Sequence, residues 1–228
     1  MLFPYKVVDL THTLSADIAS WNGSCGFQQD IKLDYQDCIT EVKFRVQKIS
    51  LHAGIGTHVD APSHCVPGGA SIADLSLEKL IAPCVMIDVS DKAHQTYSLS
   101  LDDVNAFEAM HGLIDRGSFV IVRTGWDKYW SMPEKYRNAL VFPSISGEAA
   151  QLLLDRGGVG VGIDTLSPDR PNEGYPVHKL ILGSGGYIVE NVANADKLPA
   201  KGSYSLALPI KTGAGTEAPS RLIGLIER

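Results

Sequence analysis

The chain has 228 residues, 44% of them hydrophobic and 20% charged, with a formal net charge of −6. This is an ordinary globular composition, long enough to bury a substantial core. The acidic balance argues against a binder that tracks nucleic-acid phosphates, and no apolar run is long enough to cross a bilayer.

In chain order, "YKVVDLTHTL" (5–14) and "EVKFRVQKISLHAG" (41–54) contain strand-like alternation. "APCVMIDVS" (82–90), "SFVIVRTGW" (118–126) and "GVGVGIDT" (158–165) are compact apolar runs, suited to strands covered on both faces. Between them, "SLDDVNAFEAMHGL" and "SGEAAQLLLDRG" have helical spacing, with Ser100 and Ser146 as N-caps. "GGYIVENV" (185–192) and "YSLALPIK" (204–211) add late strands. The alternation predicts one α/β layered domain over residues 1–228, with a mixed central sheet and flanking helices. The opening "MLFPYKVVDLTHTL" lacks a basic-then-apolar signal pattern, so a cytoplasmic location is expected. Cys25, Cys38, Cys65 and Cys84 form no CxxC pair and are expected to be free thiols, with Cys65 a small packing residue.

The common catalytic and cofactor motifs are absent. "LGSGG" fails the first position of G-x-S-x-G, no phosphate-binding G-x-x-x-x-G-K-[ST] loop occurs, and "GGVGVGID" misses the G-x-G-x-x-G spacing. The chemistry concentrates instead in "LHAGIGTHVDAPSHCVPGG" (51–69), which holds three of the seven histidines. On an extended segment, residues two apart share a face, so His58 and Asp60 can offer imidazole and carboxylate to one ion. That ligand mix suits zinc, manganese or non-haem iron. Pro62 takes the chain out of the strand, which would swing His64 over the ion as a general acid or base. The competing reading is a turn whose polar side chains satisfy local backbone. Further ligands are sought in "GYPVHKLILGSGGYIVENVAN" (174–194), where Glu190 ends an apolar run and His178 precedes one. A carboxylate ending a buried strand is costly unless it is paired or metal-bound.

Residues 52–64, 161–169, 176–191 and 204–221 resemble the metal-dependent cyclase-like hydrolases, a family that includes bacterial kynurenine formamidases and isatin hydrolases. The family hallmark, H-x-G-T-H-x-D-x-P-x-H, is matched by "GTHVDAPSH" (56–64). "GIDTLSPD" (162–169), "YPVHKLILGSGGYIVEN" (175–191) and "LALPIKTGAGTEAPSR" (206–221) match later blocks, including the twelve-residue step from His178 to Glu190. The resemblance implies metal ligation by His58 and Asp60, with His178 and Glu190 as a second set in two-metal members. It also implies His64 as the catalytic histidine, Trp21 as a substrate-lining aromatic, and one or two Zn or Mn ions. A homodimer or homotetramer acting on a small molecule is implied as well.

One departure stands out. The hallmark's first histidine belongs four residues before His58, and that residue is Gly54; His52 stands six before. On a regular strand His52 points the same way but starts roughly 6.5 to 7 Å further along. Either a bulge in "AGIG" brings His52 to the ion as a ligand, which is the expectation, or one ligand is missing. The implied reaction is hydrolysis of a small amide, formamide or lactam carbonyl. A lactone hydrolase or cyclase using the same site, or a non-catalytic protein with a decayed site, are the alternatives. Trp21, Phe27, Trp126, Tyr129 and Trp130 are candidates for setting specificity, or else for packing a helix or an interface.

Overall fold

A computed structural model describes residues 3–24 and 26–228, so the expected thiol Cys25 lies outside the described residues. Its strands are β1 (Tyr5–Asp9), β2 (Phe27–Leu33), β3 (Val46–Leu51), β4 (His58–Asp60), β5 (Ile81–Asp88), β6 (Ser98–Leu99), β7 (Phe119–Arg123), β8 (Ser144–Ile145), β9 (Gly160–Ile163), β10 (Tyr187–Glu190), β11 (Ser203–Pro209) and β12 (Glu217–Glu227). The helices are α1 (Leu77–Leu80), α2 (Leu101–His111), α3 (Pro133–Arg137), α4 (Gly147–Asp155) and α5 (Pro176–Gly183).

Eight strands form one mixed sheet in the order β1-β12-β11-β5-β7-β9-β10-β4, and β4 also pairs with β12. That last pairing closes the sheet into a barrel, with β1 added along the outer part of β12. β5, β7, β9 and β10 run parallel, while the remaining pairs are antiparallel. This is the expected single α/β domain, with the sheet curled rather than open. The strand alternation separates two cores. Cys84, Met86, Phe119, Ile121, Tyr187, Val189, Val59 and Ala218 fill the barrel. Val85, Ile87, Val120, Val122, Val161, Ile163 and Ile188 face outward against α2, α4 and α5, through Val104, Phe107, Ala149, Leu153, Val177 and Ile181. The runs read as apolar on both faces for this reason. Inside, Phe119 and Tyr187 stack at 5.1 Å. They occupy space left by Gly160 and Gly162, where a Cβ would fall 3.1 Å from the Tyr187 ring and 2.9 Å from that of Phe119.

Ser100 and Ser146 cap α2 and α4 as expected, accepting from the N–H groups of Asp103 and Ala149. One element differs from the sequence expectations and two others lie in segments for which none was made. The 41–54 strand is shortened to β3 and pairs only with β2, as a hairpin outside the main sheet. Residues 176–183 are helical, because Pro176 opens the turn at a position where its missing N–H is harmless. The longest strand, β12, runs through a segment where glycine, proline and charged residues interrupt the alternation. Cys38, Cys65 and Cys84 are free; Cys65 is exposed, with its thiol donating to the His178 carbonyl at 3.5 Å. None of the described helices is long and apolar enough to cross a membrane.

Candidate metal centre

The site lies on the outer face of the barrel, where β10, β4 and β12 lie side by side. Glu190 is opposite His58 and Ile188 opposite Asp60 in the β10–β4 pair. On the other side, Glu217 is opposite Asp60 and Pro219 opposite His58. Directly opposed residues of antiparallel strands share a face, so His58, Asp60, Glu190 and Glu217 converge while Val59, Val189 and Ala218 enter the barrel core.

His58 Nε2 is 3.4 Å from Asp60 Oδ1 and 3.4 Å from Glu190 Oε2. Its Nδ1 donates to the Gly56 carbonyl at 2.8 Å, which aims Nε2 at the carboxylates. Asn191 steadies that carbonyl through a 2.8 Å bond from its side-chain amide, and its own oxygen accepts from the buried Tyr136 hydroxyl.

The first turn of α5 brings in His178. Asp169, fully buried, accepts the backbone N–H groups of Val177 and His178 at 3.1 and 2.9 Å and His178 Nδ1 at 2.8 Å. His178 Nε2 is thereby turned toward Glu190 Oε1 at 3.7 Å and Asp60 Oδ2 at 3.9 Å. His64 closes a 3₁₀ turn, Pro62–His64, that carries the chain away from β4. Its Nδ1 is 3.6 Å from Glu217 Oε1, and its ring centroid is 5.7 Å from that of His178.

The electrostatics are those of a cation site. Burial pushes the His58 imidazolium down, but Asp60 and Glu190 outweigh it and hold the pKa well above 6.5. Burial likewise opposes protonation of His178, yet Asp169, Glu190 and Asp60 raise it to about 9. Burial and then the Asp60 charge push Glu190 above the usual carboxylate range. Burial also works against the ionised form of Asp60, but His58 and the other imidazoles bring its pKa below 3.8.

Asp60 provides the test of whether a metal fits. Both of its carboxylate oxygens are buried and neither has a hydrogen-bond partner. A carboxylate kept out of water in that state needs a compensating cation. The potential ligand atoms of Asp60, His178 and Glu190 lie within 4.8 Å of one another, as do those of His58, Asp60 and Glu217. Imidazole nitrogen with carboxylate oxygen suits zinc or manganese. The group fits.

A cavity of about 330 Å³ opens beside this cluster, lined by Trp21, His64, Ser167, Tyr175, His178, Glu190 and Glu217. Trp21 packs edge-on to Phe142 and borders an aromatic cluster containing Trp126 and Tyr136, with Tyr129 and Trp130 against it. Among the other aromatics proposed from sequence, Trp126, Tyr129 and Trp130 pack in that cluster and Phe27 starts the β2–β3 hairpin.

The structure brings together five of the sequence candidates, His58, Asp60, His64, His178 and Glu190, with Trp21 on the cavity wall. It does not bring His52 to them. His52 follows β3, is exposed, and donates its backbone N–H to the Gly26 carbonyl at 2.9 Å. Its ring lies where a Gly26 side chain would be, 2.2 Å from the position of that Cβ. The strand carrying His58 starts afresh after Gly56, whose φ of +62° breaks the line from residue 52. Three residues of the site go unassigned from the sequence, Asp169, Tyr175 and Glu217. Asp169 is adjacent to nothing catalytic in sequence, and Glu217 meets Asp60 only through barrel closure.

A barrel carrying a histidine–carboxylate cluster on its outer face, beside a small aromatic-walled cavity, defines a class of metal-dependent hydrolase. The family model described as "Putative cyclase" matches residues 8–170, and the chain belongs to this family. Isatin hydrolase from Roseibium aggregatum is 34% identical over 188 residues, 76% of this chain and 72% of that protein. Kynurenine formamidase from Paracidovorax citrulli is 32% identical over 212 residues, 88% and 90% of the two chains. A solved structure described as a potential metal-dependent hydrolase with cyclase activity superposes with a TM-score of 0.77 at 26% identity, covering 98% of this chain and 99% of that one.

Proposed function

We propose that this metal-dependent hydrolase opens the C–N bond of a small aromatic lactam or N-acyl amide, with His64 as general acid and base. The observation that carries the reading is the buried, unpartnered Asp60 carboxylate facing His58, His178 and Glu190 beside a cavity with Trp21 and Tyr175 in its walls. The relatives named isatin hydrolase and kynurenine formamidase act on a lactam and a formamide, and the cavity volume suits one bicyclic or substituted aromatic ring.

His58, Asp60, His178 and Glu190 would hold one or two Zn or Mn ions. Such an ion polarises a carbonyl and lowers the pKa of water. His64 stands at the cavity edge, outside the tightest part of the cluster, where it can accept the proton of the attacking water. As the water oxygen adds to the carbonyl carbon and the C–N bond breaks, His64 returns that proton to the leaving nitrogen. A carboxylic acid and an amine result, and the acid then loses its proton to solvent to stand as the carboxylate. Trp21 and Tyr175 line the space for the ring, and Asp169 holds His178 by its Nδ1, which leaves Nε2 turned to the carboxylates as a ligand.

The exposed apolar residues of the β2–β3 hairpin and its loop, among them Ile31, Val42, Phe44 and Ile49, support assembly into a homodimer or homotetramer. The free thiols Cys38, Cys65 and Cys84 suit a reducing cytoplasm. The test is metal analysis of the purified protein, paired with hydrolysis assays on isatin, formylkynurenine and an aromatic lactone. The expected outcome is metal-dependent opening of an amide or lactam that Asp60→Ala abolishes. Hydrolysis of the lactone alone, or activity undiminished by chelation, would overturn the reading.

A further inference from the structure

The geometry points to Glu217 as a metal ligand, placed by the absence of a side chain at Gly54. The inference rests on the metal-hydrolase reading above and adds a donor to it. Glu217 is the first residue of β12 and sits directly across from Asp60. A Cβ built on Gly54 would fall 2.4 Å from Glu217 Oε1 and 3.4 Å from His58 Nε2. Any side chain at residue 54 would therefore project into the cluster, and the Glu217 carboxylate fills that space instead. Gly54 and Glu217 are two halves of one arrangement.

The second observation concerns Asp60. Its two oxygens lack hydrogen-bond partners and point to different sides of the cluster. Oδ1 is the atom near His58, and Oδ2 is the atom near His178. Each side has a further carboxylate among its potential ligands: Glu217 with His58 and Glu190 with His178. Asp60 thus stands between two triads, and Glu217 gives the His58 side a carboxylate of its own, whereas Glu190, 3.4 Å from His58 Nε2, is shared with the His178 side. Glu217 Oε1 is 3.6 Å from His64 Nδ1, within ion-pair range but beyond hydrogen-bonding distance, so no hydrogen bond commits the carboxylate to His64.

A carboxylate in place of an imidazole makes the donor set richer in oxygen, which favours manganese relative to zinc. The experiment measures Mn²⁺ and Zn²⁺ dissociation constants by chelator competition without substrate, on proteins whose metal-free melting temperatures are recorded as a folding check. Glu217→Gln is isosteric and should weaken binding at least about tenfold, the lower end of what loss of even an outer partner costs. Gly54→Ala should weaken it in the same direction by displacing the carboxylate. Gly54→His combined with Glu217→Gly should recover affinity and shift preference toward Zn²⁺, whereas Glu217→Gly alone should stay weak.

Unchanged metal affinity in Glu217→Gln, where wild-type binding still requires Asp60, overturns the Glu217 assignment alone. Lost turnover with unchanged metal affinity also overturns it and makes Glu217 a positioning residue for His64. A wild-type protein with no Asp60-dependent metal binding removes the underlying reading together with the inference.

Discussion

Asp169 holds His178 at two levels, accepting its ring Nδ1 at 2.8 Å and its backbone N–H at 2.9 Å through one carboxylate oxygen. The other oxygen takes the Val177 N–H, so one buried side chain fixes both the start of α5 and the direction of the imidazole. Such partners set which nitrogen faces a metal and raise its basicity. Asp169→Asn should weaken metal binding by roughly 10- to 100-fold without removing any ligand. Chelator competition reads this directly. Wild-type affinity in the variant would mean that the α5 packing alone orients His178.

His64 differs from the other histidines of the site in being exposed and carried on a turn rather than on a strand or the helix. Its loss should therefore separate chemistry from metal content. His64→Ala is expected to lower kcat by about 10²- to 10⁴-fold, the usual contribution of a positioned acid–base group. Metal stoichiometry should stay at the wild-type value. Metal analysis and steady-state kinetics on the same preparation check this, and loss of metal would identify His64 as a ligand.

How much of this site is legible in the sequence depends on the range of each contact. His58 and Asp60 are readable because a strand of period two forces them onto one face, and Glu190 because a charge ending an apolar strand needs a partner. The layered α/β class follows from apolar runs alternating with helical spacing, and both serine caps fall where the spacing puts them. The barrel is less accessible, since its closure depends on β12 reaching β4 across the whole chain. Glu217 goes unread with it: local periodicity carries no information on which strand Thr216 and Glu217 will meet. Asp169 is hidden for a related reason, as it acts on a helix that begins only after the Pro171–Glu173 turn.

The raised pKa values give the metal-free protein a defined pH dependence. His178 is held at about 9 when folded, against 6.5 for an unperturbed histidine. A group whose pKa is raised by folding contributes stability that is complete below the unfolded value and is lost as pH rises through the folded one. His58 is raised and acts in the same sense. The metal-free melting temperature should therefore fall from pH 6.5 to about 9. Metal affinity should rise over the same interval, because fewer protons must be displaced. Melting curves of chelator-treated protein at stepped pH test the first part, with His178→Gln expected to flatten the slope. A melting temperature that climbs across this range would contradict the charge balance described for the cluster.

His52 provides the contrast to the ligands. In sequence it is the histidine available to replace the one expected at residue 54, and a continuous strand would turn it toward His58. The chain does not run straight: β3 ends at Leu51, the backbone passes through Gly56 at φ +62°, and β4 starts at His58. The His52 ring instead fills the space over Gly26, on the hairpin side of the small cavity it shares with Gly54 and Glu217. His52→Ala removes an exposed imidazole that lies in neither ligand group among the described residues. Its metal dissociation constant should match wild type, while that of His58→Ala should rise by orders of magnitude. Isothermal titration of both variants with Mn²⁺ makes the comparison, and a matching loss in His52→Ala would require the 53–57 segment to bulge toward the metal.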